Sequence, residues 1–302
     1  MEWTAPNQYV NMGERNVHIW ASRLGSNGHR CLVAGCWTDG NLTVGTFYEW
    51  LDHIAVQGQS PYALVAAGLN AGSMPIQAFI AHANACRSQI PQPRNSAAPL
   101  PQGHYFLFKL NVAGGLPMDP VVPLLNVPLF TSRTLTRGAT GTNTPRNSRG
   151  SQLRTAVRLR DLRCRITGTQ APQRTRGMNF KGLQVAHIFP LGHMRKSTTL
   201  PHNVRTTLGN GNTPANAFLM RSDLHDQFDD YQFGFWWHQN GWRIYRFESS
   251  GAPGLGQPGN WGMFPSLGGT HTTPDPMPEL FATHFVTCLL WHVRGFGREQ
   301  GQ

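Results

Sequence analysis

Three shortages bound what this 302-residue chain can be. Charge is scarce: Asp, Glu, Lys and Arg make up 14% of the residues against 39% hydrophobic, the balance of a sparsely charged globular protein. Long apolar runs are lacking, and none approaches the roughly 18 residues that span a bilayer, so no membrane partner is expected. Cysteine is rare. The five present (Cys31, Cys36, Cys86, Cys164, Cys288) are scattered and odd in number. That argues against a disulfide framework and fits a reducing compartment. The opening stretch, MEWTAPNQYVNMGER, has no basic segment followed by an apolar one, so an intracellular place, nucleus or cytoplasm, is expected rather than secretion.

What is abundant is glycine and proline, 33 and 22 residues, which implies many turns and connecting loops. Basic charge is also in excess, and it is localised. Twelve of the 26 Lys and Arg residues lie between Arg133 and Lys181, with Asp161 as the single acid among them, so this stretch nets +11, the charge of the whole chain. All but Lys181 are arginine, whose planar fork suits phosphate oxygens. Such a footprint is expected for a polyanion partner. The competing reading is a basic linker that serves solubility or nuclear import.

Residues 1–130 read as a mixed α/β domain. NVHIWAS (16–22) and RCLVAGCW (30–37) have strand character around a GSNG turn, and HYFLFKLNV (104–112) is a further strand. Thr46 and Glu49 fit a capping box opening a helix from Thr46, and Pro75 precedes a second helix, IQAFIAHANAC. The stretch 131–151 has no apolar periodicity and reads as an Arg-rich linker. Beyond it, QLRTAVRLRDL (152–162) has helical spacing with arginines between the apolar positions, predicting a helix with a basic outer face. LQVAHI and NAFLM read as strands separated by a long loop, YQFGFWW and GWRIYRF as a hairpin about HQN, and 277–295 as a final helix.

The chemistry concentrates around LMRSDLHDQFDD (219–230). Ser222 or Asp223 can cap a helix start. Four residues then separate His225 from Asp229, so both lie on one face, where a nitrogen and an oxygen donor can share a divalent cation. His187 stands 38 residues before His225, at the end of a strand, and Asn216 nine before it.

These residues, in the order strand–His, loop, Asn–strand, helix with His and Asp, resemble the HNH endonucleases. With CRITG (164–168), VAHIFP and NAFLMRSDLHDQFD, the resemblance is closest to the version of the domain common in fungal proteins. Met220 stands where that version carries Leu, and THFVTCLLWHVRGFG is similar to its closing helix. The resemblance covers about 160–298 and implies an α+β protein: the N-terminal mixed α/β domain (1–130), the linker (131–151), and a C-terminal HNH ββα-metal nuclease domain (152–302) with a closing helix.

The resemblance also implies roles. His187 would be the general base of phosphodiester hydrolysis, chemistry suited to an imidazole. His225 and Asp229 would hold one cation, with His225 counted among the catalytic residues. Asn216 would bond to backbone and keep the loop in place. The products would carry a 5′ phosphate and a 3′ hydroxyl. DNA is the implied partner, with RNA presenting the same phosphate, and an isolated centre would need a homodimer or two events to cut both strands. Arg154, Arg158, Arg160, Arg163, Arg165, Arg174, Arg176 and Lys181 are the candidate backbone contacts.

Ala186 replaces the Asp or His that many HNH enzymes carry before the base, leaving two protein ligands. That favours Mg²⁺ or Mn²⁺, which keep several waters, over Zn²⁺; His193 and His202 are candidates for a third ligand. Thr167 stands where a zinc clip would have its second Cys, so no structural zinc ribbon is expected, and Cys164 reads as a small apolar core residue. Cys31 and Cys36 read as core, with His18, His29 and His53 as remote candidates to join them. His284 reads as packing or capping. Trp236, Trp237 and Trp242 read as packing on the final helix ahead of stacking on bases. Two other classes compete: a nucleic-acid-binding protein with a degenerate HNH fold, and a signalling or structural protein whose basic segment engages another protein.

Overall fold

A computed structural model describes residues 15–24, 28, 30–54, 62–110, 117–119, 148–194, 200–238, 241–247, 255, 263, 265, 267 and 272–293. Residues 131–147 of the expected linker, the middle and end of the HQN turn, and His29 lie outside these; of Cys31 only the backbone is described. The described residues fall into two compact units. The first collects those of Met1–Leu129, Phe247–Ser249 and Leu289–Gln302, and the second those of Phe130–Arg246 and Ser250–Cys288.

The first unit is built on a mixed five-stranded sheet of β1 (Val17–Leu24), β2 (Arg30–Cys36), β3 (Tyr62–Ala66), β4 (Gly103–Leu110) and β5 (Pro117–Asp119). Its order is β2-β1-β4-β3, with β5 also paired to β4. β1 runs antiparallel to β2 and parallel to β4, and β3 runs antiparallel to β4. Strands β3 and β5 are additions to the sequence reading. Helix α1 (Val44–Ile54) begins before Thr46, because Thr43 Oγ1 accepts the Thr46 N–H at 3.1 Å and so takes the capping role expected of Thr46. It buries Phe47, Trp50, Leu51 and Ile54 along one helical stripe. Helix α2 (Ile76–Cys86) follows Pro75 and buries Phe79, Ala83 and Cys86, with Phe79 against Phe106.

In the second unit, α3 (Ser148–Asp161) starts four residues earlier than expected, inside the anticipated linker. After it come the short strands β6 (Gln173–Arg174) and β7 (Gly177–Met178), then β8 (Leu183–His187). The expected long loop contains a helix, α4 (His202–Leu208), which sets Val204 and Leu208 into the core one turn apart. β9 (Ala217–Arg221) pairs antiparallel with β8, and α5 (Ser222–Asp229) follows it without a break. The hairpin of β10 (Phe233–His238) and β11 (Gly241–Arg246) then packs on α6 (Pro278–Cys288). The expected final helix is α-helical only to Cys288; Leu289–Val293 form a π-helical turn. The core centres on Phe218, Phe228, Phe235 and Phe281, whose rings lie 5.0 to 6.1 Å apart where they meet. Burying each such side chain is worth roughly 1.5–3 kcal/mol. Among the described residues no helix is long and apolar enough to cross a membrane.

Candidate active site

The antiparallel pair β8–β9 places His187 opposite Ala217, at the end of the ladder. The chain turns directly from β9 into α5. Neither Ser222 nor Asp223 caps that helix: Arg221 occupies the cap position with no side-chain hydrogen bond, and Asp223 pairs with Arg221. The start of α5 is instead tied to the residue preceding β8 by the Ser222 N–H, which donates to Gly182 O at 3.0 Å. Leu224 and Phe228 are buried on one side of the helix. One residue further round, His225 and Asp229 share a face, with His225 Nε2 3.6 Å from Asp229 Oδ2. Tyr231, in the left-handed region at φ 59°, lies just beyond the helix end.

His187, His225 and Asp229 together line a cleft of about 90 Å³, with Phe228, Tyr231 and His284. Burial lowers the His187 pKa, a hydrogen bond with the Asn212 side chain raises it, and the nearby His225 lowers it. Its Nε2 is buried without a hydrogen-bond partner. A buried ring nitrogen of this kind can accept a hydrogen bond from a group that enters the cleft. Asn216 lies outside the cleft, fully buried. Its Oδ1 accepts the Phe189 N–H at 2.8 Å, and its Nδ2 donates to Phe189 O at 2.9 Å and Gly211 O at 3.0 Å. It therefore clamps the backbone two residues past His187.

The cleft's donor set, one imidazole nitrogen and one carboxylate oxygen on a single turn, supplies two ligand atoms that a divalent cation could share, with solvent or substrate oxygens completing its shell. Among the described residues no group of three or more His, Cys, Asp or Glu could hold a metal ion, so neither His193 nor His202 completes a third ligand. His193 ends a 3₁₀ turn, and His202 opens α4. His284 is fully packed, its ring stacked 3.8 Å from Phe228 and its Nε2 3.1 Å from Phe228 O, so it borders the cleft from the core side. Cys164 is buried, and its sulfur accepts the Thr167 N–H.

The basic segment divides. Arg154, Arg174, Arg176 and Lys181 are exposed, and Arg158 lies over the Phe180 ring at 5.0 Å. Arg160 and Arg165 are not on the surface: they are 1% and 5% exposed. The reason is the segment's single acid. Asp161 is buried and accepts from Arg160 at 2.8 and 3.0 Å and from Arg165 at 2.9 Å. Arg160 also donates to Pro214 O and Ala217 O, on either side of Asn216, and to Pro274 O. The expectation that these two contact phosphate is corrected accordingly, while Arg154 stays exposed on α3. Arg163 donates twice to Pro265 O.

Residues 164–236, the stretch from Cys164 through β8, β9 and α5 to the first strand of the hairpin, match a family model described as HNH endonuclease. The C-terminal region thus carries an HNH endonuclease domain, of a family of nucleases that act on nucleic acids and generally use a divalent metal. No curated protein and no solved structure matches the chain.

Proposed function

We propose that the protein is a metal-dependent DNA endonuclease that hydrolyses phosphodiester bonds in the β8–β9–α5 cleft. The observation that carries this reading is the meeting of His187, with its unpaired Nε2, and the His225–Asp229 pair on one cleft. His187 accepts a proton from water as the water oxygen attacks phosphorus; the P–O3′ bond breaks, and the leaving 3′ oxygen takes a proton from solvent, giving a 5′ phosphate and a 3′ hydroxyl. Burial keeps the imidazole in the neutral form that can take this proton. His225 Nε2 and Asp229 Oδ2 would hold Mg²⁺ or Mn²⁺, which when bound neutralises charge developing on the phosphate and leaving oxygen. Asn216, through its three backbone bonds, keeps the Phe189 strand exit from shifting and so preserves the aim of His187.

Exposed Arg154, Arg174, Arg176 and Lys181, with Arg158 beside them, supply sequence-independent phosphate contacts. An intracellular setting suits the four described cysteines, all free and buried. The domains are taken as 1–130, a specificity or regulatory element, the basic linker 131–151, whose last four residues fold into α3, and the nuclease domain 152–302, of which Phe247–Ser249 and Leu289–Gln302 group with the first unit. The test is incubation of supercoiled plasmid with Mg²⁺ or Mn²⁺. Nicking by the wild type that is lost in His187→Ala supports the enzyme. A gel shift with no nicking under either metal supports a degenerate fold that binds DNA alone.

A further inference from the structure

Gln184 lies on β8, three residues before His187, with its side chain on the exposed side of the strand. Helix α5 crosses above that position, and Gln184 Oε1 sits 2.7 Å from His225 Nδ1. With the amide oxygen as the acceptor in this contact, His225 Nδ1 is the donor and carries a proton. In the neutral ring Nε2 then presents a lone pair, and it does so 3.6 Å from Asp229 Oδ2. Two electron-rich atoms facing each other at that separation repel, and a cation placed against both removes the repulsion. Left to itself, the carboxylate would favour the opposite tautomer, with the proton on Nε2 pointing towards Asp229. The Gln184 amide opposes it.

We propose that Gln184 is a positioning residue: it holds His225 in the Nδ1–H tautomer and in the ring orientation that offers Nε2, together with Asp229, to a divalent cation. This rests on the reading of the cleft as a cation-dependent centre. It adds a contact from the strand that bears the base to the helix that bears the ligands, so that one strand sets the geometry of both. Ligating histidines commonly need such a partner on the second nitrogen, and its loss weakens metal binding by about 10- to 100-fold.

The experiment uses the full chain with ¹⁵N-labelled histidine. In the metal-free wild type the His225 nitrogen shifts should report the Nδ1–H tautomer. Gln184→Met keeps the length of the side chain and removes the acceptor; it should move His225 towards Nε2–H and weaken Mn²⁺ binding by about 10-fold or more. Gln184→Glu restores an acceptor and should restore both readouts. The side chain is exposed, and circular dichroism checks that each variant is folded. A Gln184→Met protein that keeps the Nδ1–H tautomer and binds Mn²⁺ within about two-fold of wild type overturns the proposal while leaving the nuclease reading intact. A wild type that shows the Nδ1–H tautomer but binds no Mn²⁺ overturns both.

Discussion

Strand β9 serves two polar clusters of opposite character. On one side lies Arg160–Asp161–Arg165. Asp161 accepts the Leu219 N–H at 2.7 Å as well as both guanidiniums, and Arg160 donates to three backbone carbonyls. On the other side, at the end of the β8–β9 ladder, His187 keeps a buried nitrogen without a partner, and His225 faces Asp229 across 3.6 Å. The first cluster is closed: its charges are buried, and hydrogen bonds offset their desolvation. The second lines a cleft, with His187 Nε2 buried and unbonded to any protein atom. The two clusters thus differ in kind: one is knitted into the backbone of β9, and the other faces a cleft. Breaking the first should cost stability, and breaking the second should cost activity.

The largest effect expected is on the closed cluster. Asp161→Ala removes the buried counter-ion of two guanidiniums, leaving Arg165 with Asp275 and Arg160 with its backbone carbonyls, and should destabilise the second unit by about 3–5 kcal/mol, read as a lower denaturant midpoint. An unchanged midpoint would show that the cluster is not closed as described. Next is a pH effect from the core side of the cleft. Burial holds the His284 pKa down to about 3, against 6.5 for a free imidazole, with the bond to Phe228 O acting weakly the other way. The folded state therefore favours neutral His284. Its contribution to stability is complete above pH 6.5, and it declines by up to about 1.4 kcal/mol per pH unit as pH falls from 6.5 towards 3. In His284→Phe that decline should flatten, measured as unfolding free energy against pH; an unaltered slope contradicts the assignment. Smaller still is the effect of the exposed arginines. Replacing Arg174 and Arg176 by Ala should leave stability within about 0.5 kcal/mol. The same change should reduce the slope of log affinity for duplex DNA against log salt by about 2. An unchanged slope would remove both from the interface and leave the basic segment free for a protein partner.

The ββα core was legible because its signals are local. His225 and Asp229 are one turn apart in sequence, strand character ends at His187, and Asn216 precedes a run of four apolar residues. Helix α4 was less legible: in HNVRTTL only Val204 and Leu208 mark a buried face, amid β-branched and Asn residues that favour loops. The burial of Arg160 and Arg165 could not be read from composition. Arg160 is satisfied by Pro214, Ala217 and Pro274, which lie 54 to 114 residues away in sequence, and only the folded chain brings those carbonyls together. The single acid in a stretch netting +11 was nonetheless the available hint, since a lone Asp among arginines is a ready internal counter-ion. Gln184 carried no signal at all. Alternation along β8 reads it as solvent-facing, and its partner His225 is 41 residues on.

The proposed chemistry needs one cation and one phosphate to meet at His187, His225 and Asp229. The most direct measurement is a crystal of the full chain soaked with Mn²⁺ and a short DNA duplex. Anomalous density between His225 Nε2 and Asp229 Oδ2, with a phosphate beside His187, is the predicted result. Manganese and DNA bound elsewhere, with these three side chains contacting neither, would contradict it.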